Sequence, residues 1–222
     1  MVNPQFRGHY RLDWWTFLVS TQRVGGSRLS AQYVLASASP RRIQLLTQLG
    51  LTFIAVPADV DETARPKERP QSLVRRLAAT KAITVSGHYP DDVIIGSDTV
   101  VAQGCQIYGK PRDEAHARHI LRQLSGKRHQ VYTAVAVYCA QQGRGYVDVV
   151  VAHVTFRSLA ALEIADYVQS GEPMDKAGGY AIQGQAGKWV TSFEGNLQTV
   201  IGLPTDQVKH LIERIGSGGA TS

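Results

Sequence analysis

The chain reads as an α/β protein, a mixed twisted sheet in two lobes around a central cleft, and three observations predict it. Strand-like and helix-like runs alternate from Tyr33 onward, with turns falling where Gly, Pro and Asp cluster. The run Val93 to Ile95 is apolar without interruption, which suits a sheet buried on both faces. A length of 222 residues with 43% hydrophobic content suffices for one large domain or for two small lobes sharing a cleft.

The first unit is a strand at 33–36, a helix at 40–49 and a strand at 52–56. Its helix opens at Ser-Ala-Ser-Pro-Arg-Arg (Ser37 to Arg42), where Ser39 is the expected N-cap, Pro40 fits the first helical position and Gly50 supplies the stop. Two arginines in a first turn oppose the helix dipole, so this end is expected to await an anion; free backbone N–H groups there favour phosphate. A loop rich in Asp, Glu, Pro and Arg (Asp59 to Pro70) leads to a helix near 72–85. The apolar strand at Val93 is expected to end in Gly96-Ser97-Asp98-Thr99, and Val100 to Tyr108 to form two short strands turning at Gln103-Gly104. A helix follows at 113–124, then a hairpin of 130–139 and 146–156, a helix at 159–169 stopped by Gly171, a Gly-rich strand-loop stretch at 176–202 and a last helix at 205–215.

Residues 1–32 differ from the remainder and are expected to be an appended, weakly ordered segment. An amphipathic element around Trp14, Trp15 and Phe17, or a start assigned too far upstream, are the alternatives. The expected organisation is thus an extension at 1–32, one domain at 33–215 and a flexible tail at 216–222.

The net charge of +6 invites a nucleic-acid partner, yet residues 1–32 hold Arg7, Arg11, Arg23 and Arg28 against Asp13 alone, half of the surplus. No basic stripe remains to line a groove, and no nucleic-acid partner is expected. Cys105 and Cys139 fall in strand-like runs and are expected to be buried free thiols in a reducing compartment. Trp14 to Val19 is too short to span a bilayer and has no signal-peptide cleavage site, so no membrane partner and a cytoplasmic location are expected.

Among residues able to carry chemistry, Asp98 stands first, because ligands of open α/β sheets bind beyond the carboxyl ends of strands. A carboxylate there could ligate a hydrated divalent ion, accept a proton from water, or both; it could also be a turn aspartate capping nearby N–H groups. Asp61 and Glu62 offer a second carboxylate group of the kind Mg²⁺ shares with substrate phosphates. Lys81, Lys110 (in Gly109-Lys110-Pro111) and Lys176 (in Asp175-Lys176-Ala177-Gly178-Gly179) are candidate cations, each alone as consistent with a solvated surface. His116 and His119 stand three apart on a helix without further ligands and read as a surface pair. Neither a nucleophile elbow nor a P-loop is present.

Taken in order, these stretches resemble the Maf family of nucleoside triphosphate pyrophosphatases, in its dTTP/UTP branch. The carriers are Leu35 to Arg42, Asp61-Glu62, Ala79-Thr80-Lys81-Ala82, Gly96 to Val101 and Gly109-Lys110-Pro111. Leu124-Ser125-Gly126 with His129, Ser170 to Pro173, Asp175 to Gly178, Tyr180 to Gly184 and Gly202-Leu203-Pro204 continue the set. The resemblance implies a two-lobed fold related to the inosine triphosphate pyrophosphatases, often dimeric, and hydrolysis between the α- and β-phosphates with a divalent metal, Mg or Mn. It implies Asp98 as proton acceptor, Arg41, Thr99 and Gln183 as specificity residues, and Glu62, Lys81 and Lys110 as groups around phosphates and metal. Beside it, Glu62 and Asp98 are the expected metal ligands, and Ser39, Arg42, Lys81, Lys110 and Lys176 the expected phosphate contacts.

Charge logic agrees, since attack on a triphosphate needs cations against both the approach and the leaving group. Uracil and thymine present an N3–H donor beside the O4 acceptor, and the Gln183 amide can meet both; turned over, it would suit cytosine equally. A donor such as Arg41, or the Thr99 hydroxyl, is therefore needed to fix the choice. The alternatives are a sister specificity for 7-methylguanosine triphosphate, against which Thr99 and Gln183 speak, and a nucleotide-binding regulator of cell division and septum formation whose catalysis is incidental. RNA binding ranks behind both, for want of a stacking motif.

Overall fold

The structure is a computed structural model that describes residues 33–217. The expectations for residues 1–32, and for the tail beyond residue 217, lie outside the described residues. Tyr33–Leu35 (β1), Pro40–Gln48 (α1) and Phe53–Ala55 (β2) are followed by the long helix Pro70–Ser86 (α2) and the long strand Val93–Gln103 (β3). Gln106–Tyr108 (β4), Glu114–Leu124 (α3), Arg128–Cys139 (β5), Arg144–Phe156 (β6) and Ala161–Gln169 (α4) come next. After three short 3₁₀ turns within 172–189, Val190–Glu194 (β7), Leu197–Ile201 (α5) and Thr205–Ser217 (α6) complete the order. The last helix thus runs on through Gly216 and Ser217, which the sequence assigns to the tail.

The strands make one seven-stranded sheet in the order β2-β1-β3-β5-β6-β7, with β4 also on β3. β1 pairs parallel with β2 and β3, and the remaining pairs are antiparallel. Alternating side chains send Val34, Ile94, Ala134 and Ala136 to one face, under α2. Leu35, Ile95, Val135 and Val137 go to the other, against α1 and α6. A further cluster, built on Phe156, Trp189 and the α3 and α4 side chains, forms the second body of packing.

The strand that crosses between these bodies is β3, and its pairing differs on its two sides. β5 follows it from Val93 opposite Cys139 to Ala102 opposite Gln130. On the other side β1 covers only Val93 to Ile95 and β4 only Val101 to Gln103. Between them that edge carries no strand among the described residues, and the cleft opens in this gap. Here the structure corrects the expectation that the strand ends at Gly96. Gly-Ser-Asp-Thr has the local chemistry of a turn, but β5 supplies a full ladder of partners, and non-local pairing overrides propensity. Asp98 therefore stands mid-strand at an open edge, not at a strand exit.

Cys139 is buried and free as expected, whereas Cys105 is exposed, because it sits in the turn joining β3 to β4 and not in a strand. No helix among the described residues is long and apolar enough to cross a membrane.

Candidate active site

Gly96 determines how closely α2 approaches β3. A Cβ at this position would lie 2.2 Å from the Ala78 carbonyl oxygen and 3.0 Å from the Ala82 nitrogen, so only glycine admits the helix backbone here. Lys81, between those alanines, consequently reaches over the strand edge. Its ammonium donates to Asp98 Oδ1 at 2.7 Å and stands 2.5 Å from Glu62 Oε1. The Lys81 and Asp98 side chains are only 7% and 8% exposed, and Glu62 46%, so two carboxylates converge on one cation at the cleft floor.

The loop bearing Glu62 is tied down by Arg76 on α2. Its guanidinium grips both oxygens of Glu68 at 2.8 Å and donates to the Thr63 carbonyl at 3.1 Å. Asp61 turns away to accept the Thr63 N–H at 2.9 Å, which separates it from its neighbour Glu62 in role.

Burial pushes the Asp98 carboxyl above its ordinary range and Glu62 adds to this, against the opposing charges of Lys81 and Arg42. At Glu62 burial acts in the same direction, but the hydrogen bond and charge of Lys81, with Lys110 and Arg42, outweigh it and hold the group low. Two neighbouring carboxyls with oppositely displaced proton affinities are a pattern typical of acid–base sites.

Arg42 is half-buried and anchored. Its Nε donates to the Gly202 carbonyl at 2.9 Å, Nη1 to Ser37 Oγ and Nη2 to Thr99 Oγ1, both at 3.4 Å. Gly202 holds φ of 118° at the end of α5, a conformation that aims its carbonyl at Arg42 and at the Ser97 hydroxyl. Behind Thr99 lies Thr133, fully buried, whose hydroxyl is 2.8 Å from Thr99 Oγ1 and donates to the Thr199 carbonyl at 2.7 Å. Directions follow from proton counting. A carbonyl only accepts, so the single Thr133 proton goes to Thr199, and the contact between hydroxyls is donated by Thr99. Thr99 then has no proton left for a ligand, and its oxygen accepts from Arg42.

Across the cleft mouth Arg41 Nη1 donates to Asp175 Oδ2 at 3.2 Å, and Lys176 donates to Asp175 Oδ1 at 2.6 Å and to the Glu172 carbonyl at 2.6 Å. Burial raises Asp175, but the hydrogen bonds and charges of Lys176 and Arg41 prevail and hold its carboxyl below its ordinary value. Tyr167 accepts the Ala181 N–H at 3.2 Å and donates to Glu172 at 2.9 Å, fixing the turn that carries Gln183. The Gln183 side chain is exposed and makes no hydrogen bond among the described residues.

Apart from Asp61, every residue singled out from the sequence as catalytic, metal-binding, phosphate-binding or specificity-setting lines one cleft of about 630 Å³. Three differ in detail from expectation. Ser39 makes no side-chain cap; Ser37 Oγ instead accepts the Ser39 N–H at 3.2 Å. Thr99 is engaged inward, and Lys176 is already paired. His116 accepts the Arg112 N–H at 3.2 Å, and no three-residue group of metal-ligating side chains occurs among the described residues. Sequence reasoning missed Thr133, and it gave no role to Gly202 or Asp175, which stand in stretches quoted for the resemblance. A lone threonine inside the apolar run Val131 to Val137 was the available signal for the first, and an acid beside Lys176 for the last.

Cations gathered around a carboxylate pair, at the open edge of a mixed sheet, define an α/β protein built to handle a polyanion. The chain belongs to the Maf family: its profile, described as Maf-like protein, matches residues 32–215. Among curated relatives, the dTTP/UTP pyrophosphatase of Myxococcus xanthus is 46% identical over 184 residues, 82% of this chain and 92% of the relative. That of Pseudoalteromonas translucida is 48% identical over 180 residues, 81% and 94% of the two chains. The solved structure of the Staphylococcus aureus Ham1 protein aligns at a TM-score of 0.39 and 13% identity, over 56% of this chain and 71% of that one.

Proposed function

We propose that this protein hydrolyses dTTP and UTP to the nucleoside monophosphate and pyrophosphate, using a divalent metal ion. The observation that carries the reading is the convergence of Glu62 and Asp98 on Lys81 inside a cleft walled by Arg41, Arg42, Lys110 and Lys176. The names of the relatives, dTTP/UTP pyrophosphatases at 40–48% identity, support the substrate.

Glu62 and Asp98 each give one oxygen to Lys81, and the second oxygen of each, facing the same cleft, fits a hard cation such as Mg²⁺ or Mn²⁺. Glu62 and Asp98 would hold it, and it would supply charge neutralisation at the phosphates. The residues of the chain do the remainder. Lys81, Arg42 and Lys110 bind the phosphate oxygens and stabilise the negative charge that grows on the leaving pyrophosphate. Asp98 accepts a proton from the water whose oxygen bonds to the α-phosphorus as the bond to the bridging oxygen breaks. Ser39 and Lys176 line the phosphate path, and Arg41 and Gln183 lie where the base can be read. Thr99 serves by accepting from Arg42. The reading carries with it a cytoplasmic location, beside the nucleotide pool. A homodimer is consistent with the edge of β6 at residues 145–152, which has no strand neighbour on the side away from β5 among the described residues.

Incubation of the metal-loaded protein with each nucleoside triphosphate, with products resolved, tests the proposal. Pyrophosphate and monophosphate are expected from dTTP and UTP; no turnover of either overturns it. Asp98→Asn should abolish turnover while nucleotide binding persists, and a division phenotype that survives this change would favour the regulatory reading.

A further inference from the structure

Neither of two expected selectivity groups can by itself tell uracil from cytosine. Gln183 makes no hydrogen bond that would set its amide, and an amide that turns over presents donor and acceptor in either order. Thr99 has given its only proton to Thr133. The Arg41–Asp175 couple behaves differently. Guanidinium only donates and an ionised carboxylate only accepts, so no torsion exchanges their roles. Both lie in the cleft with Gln183, and both remain open to it, with side chains 30% and 63% exposed. Their mutual contact is a single hydrogen bond of 3.2 Å, and Lys176 takes the other carboxylate oxygen. Each oxygen keeps a lone pair, and Arg41 keeps further N–H groups, for a ligand.

We propose that Asp175 is a specificity-determining residue that accepts the N3–H of uracil or thymine while Arg41 donates to an adjoining carbonyl oxygen of the same ring. This deepens the dTTP/UTP reading and rests on it. Cytosine has an unprotonated N3, which would face the carboxylate lone pair to lone pair, and could satisfy the couple only by shifting its edge one ring position. Phosphates held by the cleft floor forbid such a shift. Thymine and uracil share N3–H and both carbonyls, so the couple accepts both. The C5 methyl group is not read by it.

The test compares kcat/KM for UTP, CTP and N3-methyluridine triphosphate in wild type, Asp175→Asn and Asp175→Ala, with Mn²⁺ present. A hydrogen bond to a charged acceptor, lost on substitution, is expected to shrink the UTP-to-CTP ratio by about 10- to 100-fold. The penalty for N3-methylation should shrink in parallel. An acid that merely orients Arg41 or Lys176 would lower all three substrates together, and unchanged ratios would overturn the proposal. If the wild type turns over neither dTTP nor UTP, the functional reading fails separately. Calorimetric affinities for UMP and CMP in the same variants then decide: Asp175→Ala should weaken UMP and spare CMP, and equal effects on both overturn the assignment.

Discussion

Replacing Gly96 by alanine tests whether the site is built by the approach of α2 to β3. The new Cβ would sit 2.2 Å from the Ala78 carbonyl oxygen, while real contacts of this kind stay above 3.0 Å, so helix and strand must part by roughly 0.8 Å or more. The obstructing atoms are backbone, and no rotamer change relieves them; Ala82→Gly would remove the 3.1 Å Cβ contact and leave the worst one. Overpacking of this kind costs about 1–3 kcal/mol of stability. Lys81 moves with the helix, and its 2.7 Å bond to Asp98 lengthens by a comparable amount. A displacement near 1 Å at a reacting centre lowers turnover by about 100-fold. Urea unfolding and dTTP turnover at saturating Mn²⁺ measure the two effects. A Gly96→Ala protein of unchanged stability and with turnover within threefold of wild type would refute the coupling of helix approach to catalysis.

Thr133→Val should free the Thr99 proton and loosen Arg42, lowering kcat/KM about tenfold; Thr133→Ser should restore it, and Thr99→Val should mask the effect in a double-mutant cycle, whereas additive losses would show independent roles. Glu68→Gln weakens the Arg76 grip on the loop carrying Glu62, and Mn²⁺ binding followed by electron paramagnetic resonance should weaken several-fold; unaltered affinity would detach that loop from metal binding. His129 is buried with its Nε2 2.9 Å from the Tyr180 hydroxyl, and burial lowers its pKa from 6.5 to about 4, against a smaller opposing effect of the Lys127 backbone carbonyl. The unfolded chain therefore binds this proton first: the group has no effect above pH 6.5, and stability falls as pH drops from there to about 4, by about 3 kcal/mol in all. Urea midpoints across that window should fall more steeply for wild type than for His129→Gln, and parallel slopes would exclude His129 as the cause.

Much of the fold was legible because periodicity and punctuation are local. Helix α1, with Pro40 at its start, α3 with Asp113 accepting the His116 N–H, and the β5–β6 hairpin all lie within a few residues of their expected bounds. The break at Gly96 was misread for the converse reason. A strand held by pairing with residues some forty positions away shows nothing of this in its own composition, so Gly-Ser-Asp-Thr gave a turn signal where the chain runs straight. In the cleft, Asp98, Lys81 and Arg42 were recognisable as charges needing a purpose. Their partners were less so, since the Gly202 carbonyl leaves no mark in a side-chain pattern and Thr133 is one hydroxyl in an apolar strand.

The alternation of elements, the apolar faces that must meet, and a residue set whose order resembles one family are all present in the linear chain. These follow from short-range sterics and from hydrophobic period, which act wherever the chain goes. What each polar group has left to offer a ligand was set by the three-dimensional arrangement. Thr99 lost its proton to Thr133, Arg42 was fixed by a carbonyl 160 positions away, and Asp175 came to face Arg41 across the cleft. Hydrogen-bonding capacity is finite and is assigned by spatial neighbours, which a linear spacing does not specify.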